Sequence, residues 1–248
     1  MNGTKNTACA PRDASATAGY ISSTAASDPS LYDISPAQRL IERHRNLHYP
    51  YFCTFGQAKL EIDEGVFCPE LTKTSPWLLE LLNFQSGQRV LDVFAGSGAF
   101  GINAALHGAR AILVDISPLA SACATKNSTL NHVDDRVTIR QGTLGDCLGR
   151  DETFDLIVAN PPLLPGPQPD ELYRAIFDPA LGATVDFIRR ARRHLNPQGS
   201  CYLLTSDVIE RYGYDIDRLC VENDLYPSLV DKRDVGYETY RVYQLIQA

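Results

Sequence analysis

Apolar positions in this chain fall into short unbroken runs separated by helical stretches, and the alternation becomes regular from Arg89 onward. Runs of four to eight apolar residues such as Val90-Leu91-Asp92-Val93-Phe94 or Phe154 to Ala159 lack the 3.6-residue period of a surface helix and read as buried parallel strands. Strands are predicted near 89–94, 110–115, 136–140, 154–159 and 200–205, with helices near 99–107, 118–131, 145–149, 181–195 and 207–222. Strict strand–helix alternation predicts one parallel sheet covered by helices. The last two extended runs, 228–234 and 240–247, have no helix between them and predict a closing antiparallel hairpin.

Upstream of Arg89 the pattern differs. Ser35-Pro36-Ala37-Gln38 combines a capping serine, a proline at the first helical position and a capping-box glutamine. The predicted helix runs to about His48 and puts Leu40, Ile41, His44, Leu47 and His48 on one face, where the histidines read as packing residues rather than a catalytic pair. The aromatic group Tyr49, Tyr51, Phe52 and Phe55 follows. Alternation of Ala58, Leu60 and Ile62 with charged residues, then Glu64-Gly65 and Val66-Phe67, predicts a hairpin. A second helix is expected to start at Ser75-Pro76 and bury Trp77, Leu78, Leu81 and Leu82. Residues 1–34, rich in Ala, Ser and Thr, are expected to form a disordered or loosely attached tail. Residues 35–85 then form a cap over a ligand-binding domain at 86–248, its aromatics either lining an acceptor pocket or packing on the sheet.

Composition narrows the class. Apolar residues at 44% and charged residues at 21% suit a soluble globular chain, and no apolar run approaches the ~20 residues of a membrane helix. With no signal-like stretch near Met1, a cytoplasmic location is expected. The seven cysteines include no C-x-x-C pair and read as small buried side chains or free thiols; no metal site is expected. A net charge of -7 disfavours nucleic-acid partners, whose phosphates are bound by Lys and Arg. The dense basic cluster at Arg189, Arg190, Arg192 and Arg193 alternates with apolar residues at helical spacing and reads as a solvated helix face.

Two stretches carry chemistry. In the first, the strand ending at Phe94 runs into Gly96, Gly98 and Gly101, a G-x-G-x-x-G turn opening a helix. Glycines there allow positive φ and close approach of a nucleotide-containing ligand. Asp115 ends the next strand, where ribose hydroxyls are bound in doubly wound folds. Asp92 lies inside its strand and needs a partner, either a cationic ligand or the amides of its own turn. A cationic partner favours S-adenosylmethionine over a dinucleotide.

In the second stretch, the strand Phe154 to Ala159 delivers Asn160-Pro161-Pro162-Leu163 at its C-terminal end, the ligand edge of an open parallel sheet. An amide or aromatic amine nitrogen is a poor nucleophile because its lone pair is delocalised. The Asn160 side-chain oxygen and the Pro161 carbonyl can accept both hydrogens of such an NH2 group, holding it in line with a donor carbon. Pro-Pro is otherwise a rigid strand-ending turn.

The order of glycine turn, Asp115 and then Asn-Pro-Pro resembles the class I S-adenosylmethionine-dependent methyltransferases. Within them it is similar to the "small" group that contains release-factor glutamine methyltransferases and RNA amino-group methyltransferases. The resemblance spans roughly residues 60 to 205 and includes Gly65 to Pro69 and Lys126-Asn127 through Leu130-Asn131. It implies an α/β fold, a doubly wound Rossmann-like seven-stranded sheet with a C-terminal antiparallel hairpin and an N-terminal helical and hairpin cap. Asp92, Phe94, Gly96, Ser97 and Gly98 would surround the cofactor's methionine part, Asp115 the ribose, and Ile116, Thr143 and Leu144 the adenine. Asn160, Pro161 and Pro162 would form the catalytic turn, with Asn160 also touching the cofactor.

Two departures stand out. The family's adenine-binding acid is replaced by Gln141-Gly142-Thr143-Leu144, with Asp146 as the nearest acid, and Leu163 stands where the family has a stacking aromatic. The expected reaction is methyl transfer to an amide or amine nitrogen of a small molecule, an amino-acid derivative or a protein glutamine. The alternatives are cyclisation of S-adenosylmethionine itself to azetidine-2-carboxylate beneath the Tyr49–Phe55 aromatics, methylation of an RNA amino group, and a non-catalytic cofactor sensor. A nicotinamide oxidoreductase is disfavoured by Asp92.

Overall fold

In the computed structural model the chain is described at residues 7–8 and 32–248, so the expected tail lies almost wholly outside the described residues. Besides residues 32–34, the described piece of it is β1 (Thr7–Ala8), which pairs in parallel with Arg140 and Gln141. Helix α1 (Ser35–Arg45) stops before His48 and takes no side-chain cap from Ser35; the Ser35 N–H instead donates to Asp33 Oδ1 at 2.8 Å. The hairpin is β2 (Tyr51–Phe55) with β3 (Ala58–Ile62), not the expected pairing of 58–62 with Val66-Phe67. Gly56, at φ 59°, supplies its turn, so the aromatic run becomes a strand. Helix α2 (Thr74–Leu81) begins one residue early, which places Ser75 inside the helix and buries it completely.

From there the alternation predicted from the apolar runs is present. It comprises β4 (Arg89–Val93), α3 (Ala99–Leu106), β5 (Arg110–Asp115), α4 (Pro118–Leu130), β6 (Val137–Gln141), α5 (Leu144–Cys147) and β7 (Phe154–Ala159). A short helix α6 (Glu171–Arg174) without counterpart in the apolar pattern precedes α7 (Gly182–His194) and β8 (Leu195–Ser206). The single helix expected at 207–222 is two, α8 (Val208–Arg211) and α9 (Ile216–Val221), parted at Gly213 (φ 98°) and restarted by an Asp215 cap. β9 (Leu225–Asp234) and β10 (Thr239–Gln247) form the closing hairpin.

The strands make one sheet in the order β1-β6-β5-β4-β7-β8-β10-β9, seven strands plus the two-residue β1. β4 through β8 run parallel; β10 is antiparallel to both neighbours. The first glycine turn therefore leaves the sheet at its centre, where the strand order reverses and ligands bind. One face is packed by α3, α4 and the N-terminal hairpin, whose Phe55, Leu60 and Ile62 join Trp77 and Ile102 in a single core. The other face is packed by α7 and α9 through Phe187, Ile188 and Cys220.

Helix side-chain amides bind the hairpin to that face. Among the described residues the outward edge of β3 has no strand beside it, and Asn131 takes both backbone groups of Lys59, its Oδ1 accepting at 2.9 Å and its Nδ2 donating at 2.6 Å. The fully buried Asn127 accepts from Glu61 N at 2.7 Å and donates to Ser97 O at 3.0 Å, joining β3 to the glycine turn. Asn103 makes the same kind of bridge to Gln57 N and Phe55 O.

Asp92 is partnered within the fold. It is 1% exposed, lies behind the cavity wall, and its Oδ2 accepts from Gly101 N at 2.8 Å in the first turn of α3. Its partner is thus the amide of its own turn. Burial, with a smaller contribution from the Asp115 charge, pushes its carboxyl up to about 8.

Two outcomes follow for stability. Asn127→Ala removes two buried hydrogen bonds and orphans both backbone partners. It is expected to cost about 2 kcal/mol or more, read as a lower urea midpoint at unchanged slope. For Asp92, a folded-state pKa above the unfolded value of about 3.9 means that the folded chain keeps a proton that the unfolded chain releases. Its contribution therefore falls as pH rises from about 4 to about 8. Asp92→Asn retains an acceptor for Gly101 and removes the titration. Urea melts at several pH values are expected to show the variant gaining on wild type by at least about 1 kcal/mol toward pH 8.

Candidate active site

The C-terminal ends of the parallel strands open into a cavity of about 870 Å³, within the size range of small-molecule sites. Each strand contributes the residues that follow it. Phe94 to Ser97 come from β4, Asp115 to Ser117 from β5, Gly142 to Leu144 from β6 and Asn160 to Leu163 from β7. The opposite wall is made by Gly65 to Phe67 and the Leu71 to Ser75 segment, by α6, and by the β9–β10 turn.

At the β4–β5 end the backbone is shaped for close approach. Phe94 has φ 61°, a left-handed conformation unusual for a bulky residue, and its ring rests edge-on against Phe187 with centroids 6.2 Å apart. Gly96 has φ 54°, and a Cβ built on it meets nothing within 4 Å, so that face of the turn is open. Gly98 serves another purpose and does not line the cavity. A Cβ there would come within 2.9 Å of Leu113 and 3.1 Å of Ala124, so it is a packing glycine at the start of α3.

Asp115 is held by Gly96 N on Oδ2 at 2.7 Å and by Ser117 N on Oδ1 at 2.8 Å. Both oxygens keep lone pairs for further donors. Desolvation raises its pKa against those two amides, so added donors would stabilise the charged form. Beside it Ile116 lines the cavity while 52% exposed, an apolar surface open to a flat ring. Thr143 caps α5 and donates to Asp146 Oδ2 at 2.6 Å, which draws Asp146 into a local bond outside the cavity lining.

At the β7 end, the Asn160 Nδ2 donates to Ser75 Oγ at 3.2 Å. The hydroxyl is in turn part of a Thr72–Ser75 turn in which Thr72 Oγ1 also accepts from Ser75 N at 3.2 Å. With its nitrogen engaged, the Asn160 amide is turned so that Oδ1 is left to accept. Pro161 and Pro162 are buried and Leu163 packs on the core, which makes the turn rigid. Ser75 was legible in the sequence only as a helix cap; its role depends on a contact across 85 positions.

Other candidates separate from the site. Tyr49, Tyr51, Phe52 and Phe55 are absent from the cavity lining. Tyr49 donates to His44 O at 2.7 Å and Phe55 packs edge-on against Phe100, so the aromatic group is structural and does not roof the cavity. His44 is buried, with Nδ1 on Leu40 O and Nε2 accepting from Cys68 N at 2.9 Å; burial lowers its pKa and keeps it neutral. The four arginines of α7 are exposed while Phe187, Ile188 and Ala191 between them are buried. The described cysteines are free thiols. Among the described residues no His, Cys, Asp and Glu cluster suits a metal ion, and no helix is long and apolar enough to cross a membrane.

These walls fit S-adenosylmethionine. The open face at Gly96 would leave room for its amino-acid part, Asp115 would offer two anchored oxygens to ribose hydroxyls, and the apolar Ile116 and Leu144 in the cavity lining would suit a flat ring.

The comparisons agree with this geometry. The chain is 28% identical over 183 residues to a release factor glutamine methyltransferase of Flavobacterium psychrophilum, covering 64% of this chain and 63% of that protein. It is 36% identical over 125 residues to a ribosomal-protein glutamine methyltransferase of Bradyrhizobium diazoefficiens, covering 45% and 39%. The chain thus spans less than two thirds of either relative. A T. Thermophilus 16S rRNA N2 methyltransferase, solved with AdoMet and guanosine, shares the fold. It has a TM-score of 0.60 and 21% identity, over 80% of this chain and 50% of that one. The family described as methyltransferase small domain matches residues 57–213, from the β2–β3 turn through Gly213, and the chain belongs to that family.

Proposed function

We propose that this protein transfers the methyl group of S-adenosylmethionine to an amide or amine nitrogen, and that the acceptor is the side-chain amide of a protein glutamine. The observation that carries the reading is the Asn160 amide, clamped by Ser75 in the same cavity as Asp115. The glutamine acceptor is supported by the two relatives named for glutamine methylation.

When bound, S-adenosylmethionine supplies an electrophilic methyl carbon on a positively charged sulfur. The protein's task is orientation. Asp115 would hold the ribose and the Gly96 turn the amino-acid part, and Asn160 Oδ1 with the Pro161 carbonyl accepts the two hydrogens of the acceptor NH2. Those bonds align the nitrogen lone pair and favour the pyramidal nitrogen that forms as the new bond develops. The proton leaves after attack, so no dedicated general base is required. Leu163 offers no ring for stacking a nucleobase, which supports an amide over an RNA base.

Asn160→Ala is expected to lower methyl transfer about 100-fold or more, with cofactor affinity by calorimetry almost unchanged. Retained activity in that variant, or methyl incorporation into RNA instead of protein, would overturn the assignment. Ser75→Ala leaves Asn160 in place and unclamped. A loss of about tenfold in kcat is expected, with the cofactor Kd again constant.

A further inference from the structure

The reaction above uses the part of the cavity over β4 to β7 and leaves its other end, at the β9–β10 turn, without a role. Glu238 lines that end and is only 6% exposed. Its Oε2 accepts from the Tyr240 hydroxyl at 2.8 Å, and the Ser206 hydroxyl also donates to the carboxylate. Oε1 is buried with no hydrogen-bond partner among the described residues. Of the charged groups nearby, Asp207 repels it, and the Arg211 guanidinium is engaged by Asp207.

A buried carboxylate oxygen without a donor is costly and is retained where something pairs with it. The cavity's own cations do not fill that need. Arg233 stacks on Trp77 and pairs with Glu80, Arg174 pairs with Glu171, and Arg43 and Lys73 are exposed.

Strand order gives the position of this end. β7, β8 and β10 lie side by side, and their register puts Asn160 level with Leu204 and Glu238 level with Val208, so Glu238 stands two strand spacings across and four residues further along, about 16 Å from Asn160 between backbones. The nucleoside-binding residues lie on the other side, over β4, β5 and β6. An extended polypeptide covers such a distance in about five residues.

Building on the proposed reaction with a protein glutamine, we propose that Glu238 is a specificity-determining residue. Its carboxylate receives a lysine or arginine side chain lying four to six residues from the methylated glutamine.

The test uses acetylated peptides with one glutamine in an alanine and glycine background. Arginine, glutamate or alanine is placed five residues from it on either side. Binding to the protein saturated with S-adenosylhomocysteine is followed by fluorescence anisotropy, and methyl transfer by mass spectrometry. An arginine peptide is expected to bind about tenfold tighter than its alanine counterpart, with the gain in KM rather than kcat. Glu238→Gln keeps the side-chain shape and is expected to erase that preference at constant cofactor affinity; Glu238→Ala is the second variant if the first does not fold. Wild-type indifference to the neighbouring charge, no binding of any peptide, or a preference that persists in the variants would overturn the proposal. The two readings fail separately. Charge preference without methylation of any glutamine would sink the reaction and leave the Glu238 subsite, whereas methylation without charge preference would do the reverse.

Discussion

The buried amide of Asn127 is the bond on which the site's architecture rests. A strand edge without a neighbour must satisfy its backbone groups, and β3 does so on helix side chains instead of another strand. Because the same Asn127 side chain also holds the Ser97 carbonyl, the hairpin and the glycine turn are positioned by one residue. With the hairpin laid on α3 and α4, the chain leaving it crosses the open edge of the sheet and brings Ser75 to Asn160. The orientation of the acceptor-binding amide thus descends from a packing contact far from it.

The cavity's electrostatics have one sign in depth. Asp178 and Glu238 are nearly buried carboxylates, and Asp115 is anchored by backbone amides; the guanidinium and ammonium groups on the walls are more exposed. Asp178 accepts only from Ala183 N, at 2.6 Å, and burial pushes it up to about 6. Such walls are stabilised by a ligand that brings positive charge or N–H and O–H donors with it. They are unsuited to the negative pyrophosphate of a dinucleotide, in agreement with family membership.

The regular half of the fold was legible because buried parallel strands are continuous apolar runs whose ends are marked by glycine, proline or a capping residue. That is why β4, β5, β6 and β7 and the turns after them were found within a residue or two. Boundaries failed where local signals competed. Ser75-Pro76 has the composition of a helix start, yet the helix begins at Thr74 because burying Ser75 beside Asn160 satisfies its hydroxyl. The hairpin was mispaired because alternation identifies a strand without naming its partner; a two-residue turn at Gly56-Gln57 selected the aromatic run.

Sequence by itself determined the doubly wound sheet, the order of its ligand-bearing turns and the residue types at the cavity, since these depend on periodicity and on chemistry carried within a few positions. Tertiary structure alone decided what each polar group meets. Asp92 meets the Gly101 amide, Gly98 makes room for Leu113, and Glu238 joins the cavity from the last hairpin. The reason is physical: hydrogen-bond partners and desolvation are properties of proximity in space, and the contact that orients Asn160 reaches across 85 positions of the chain.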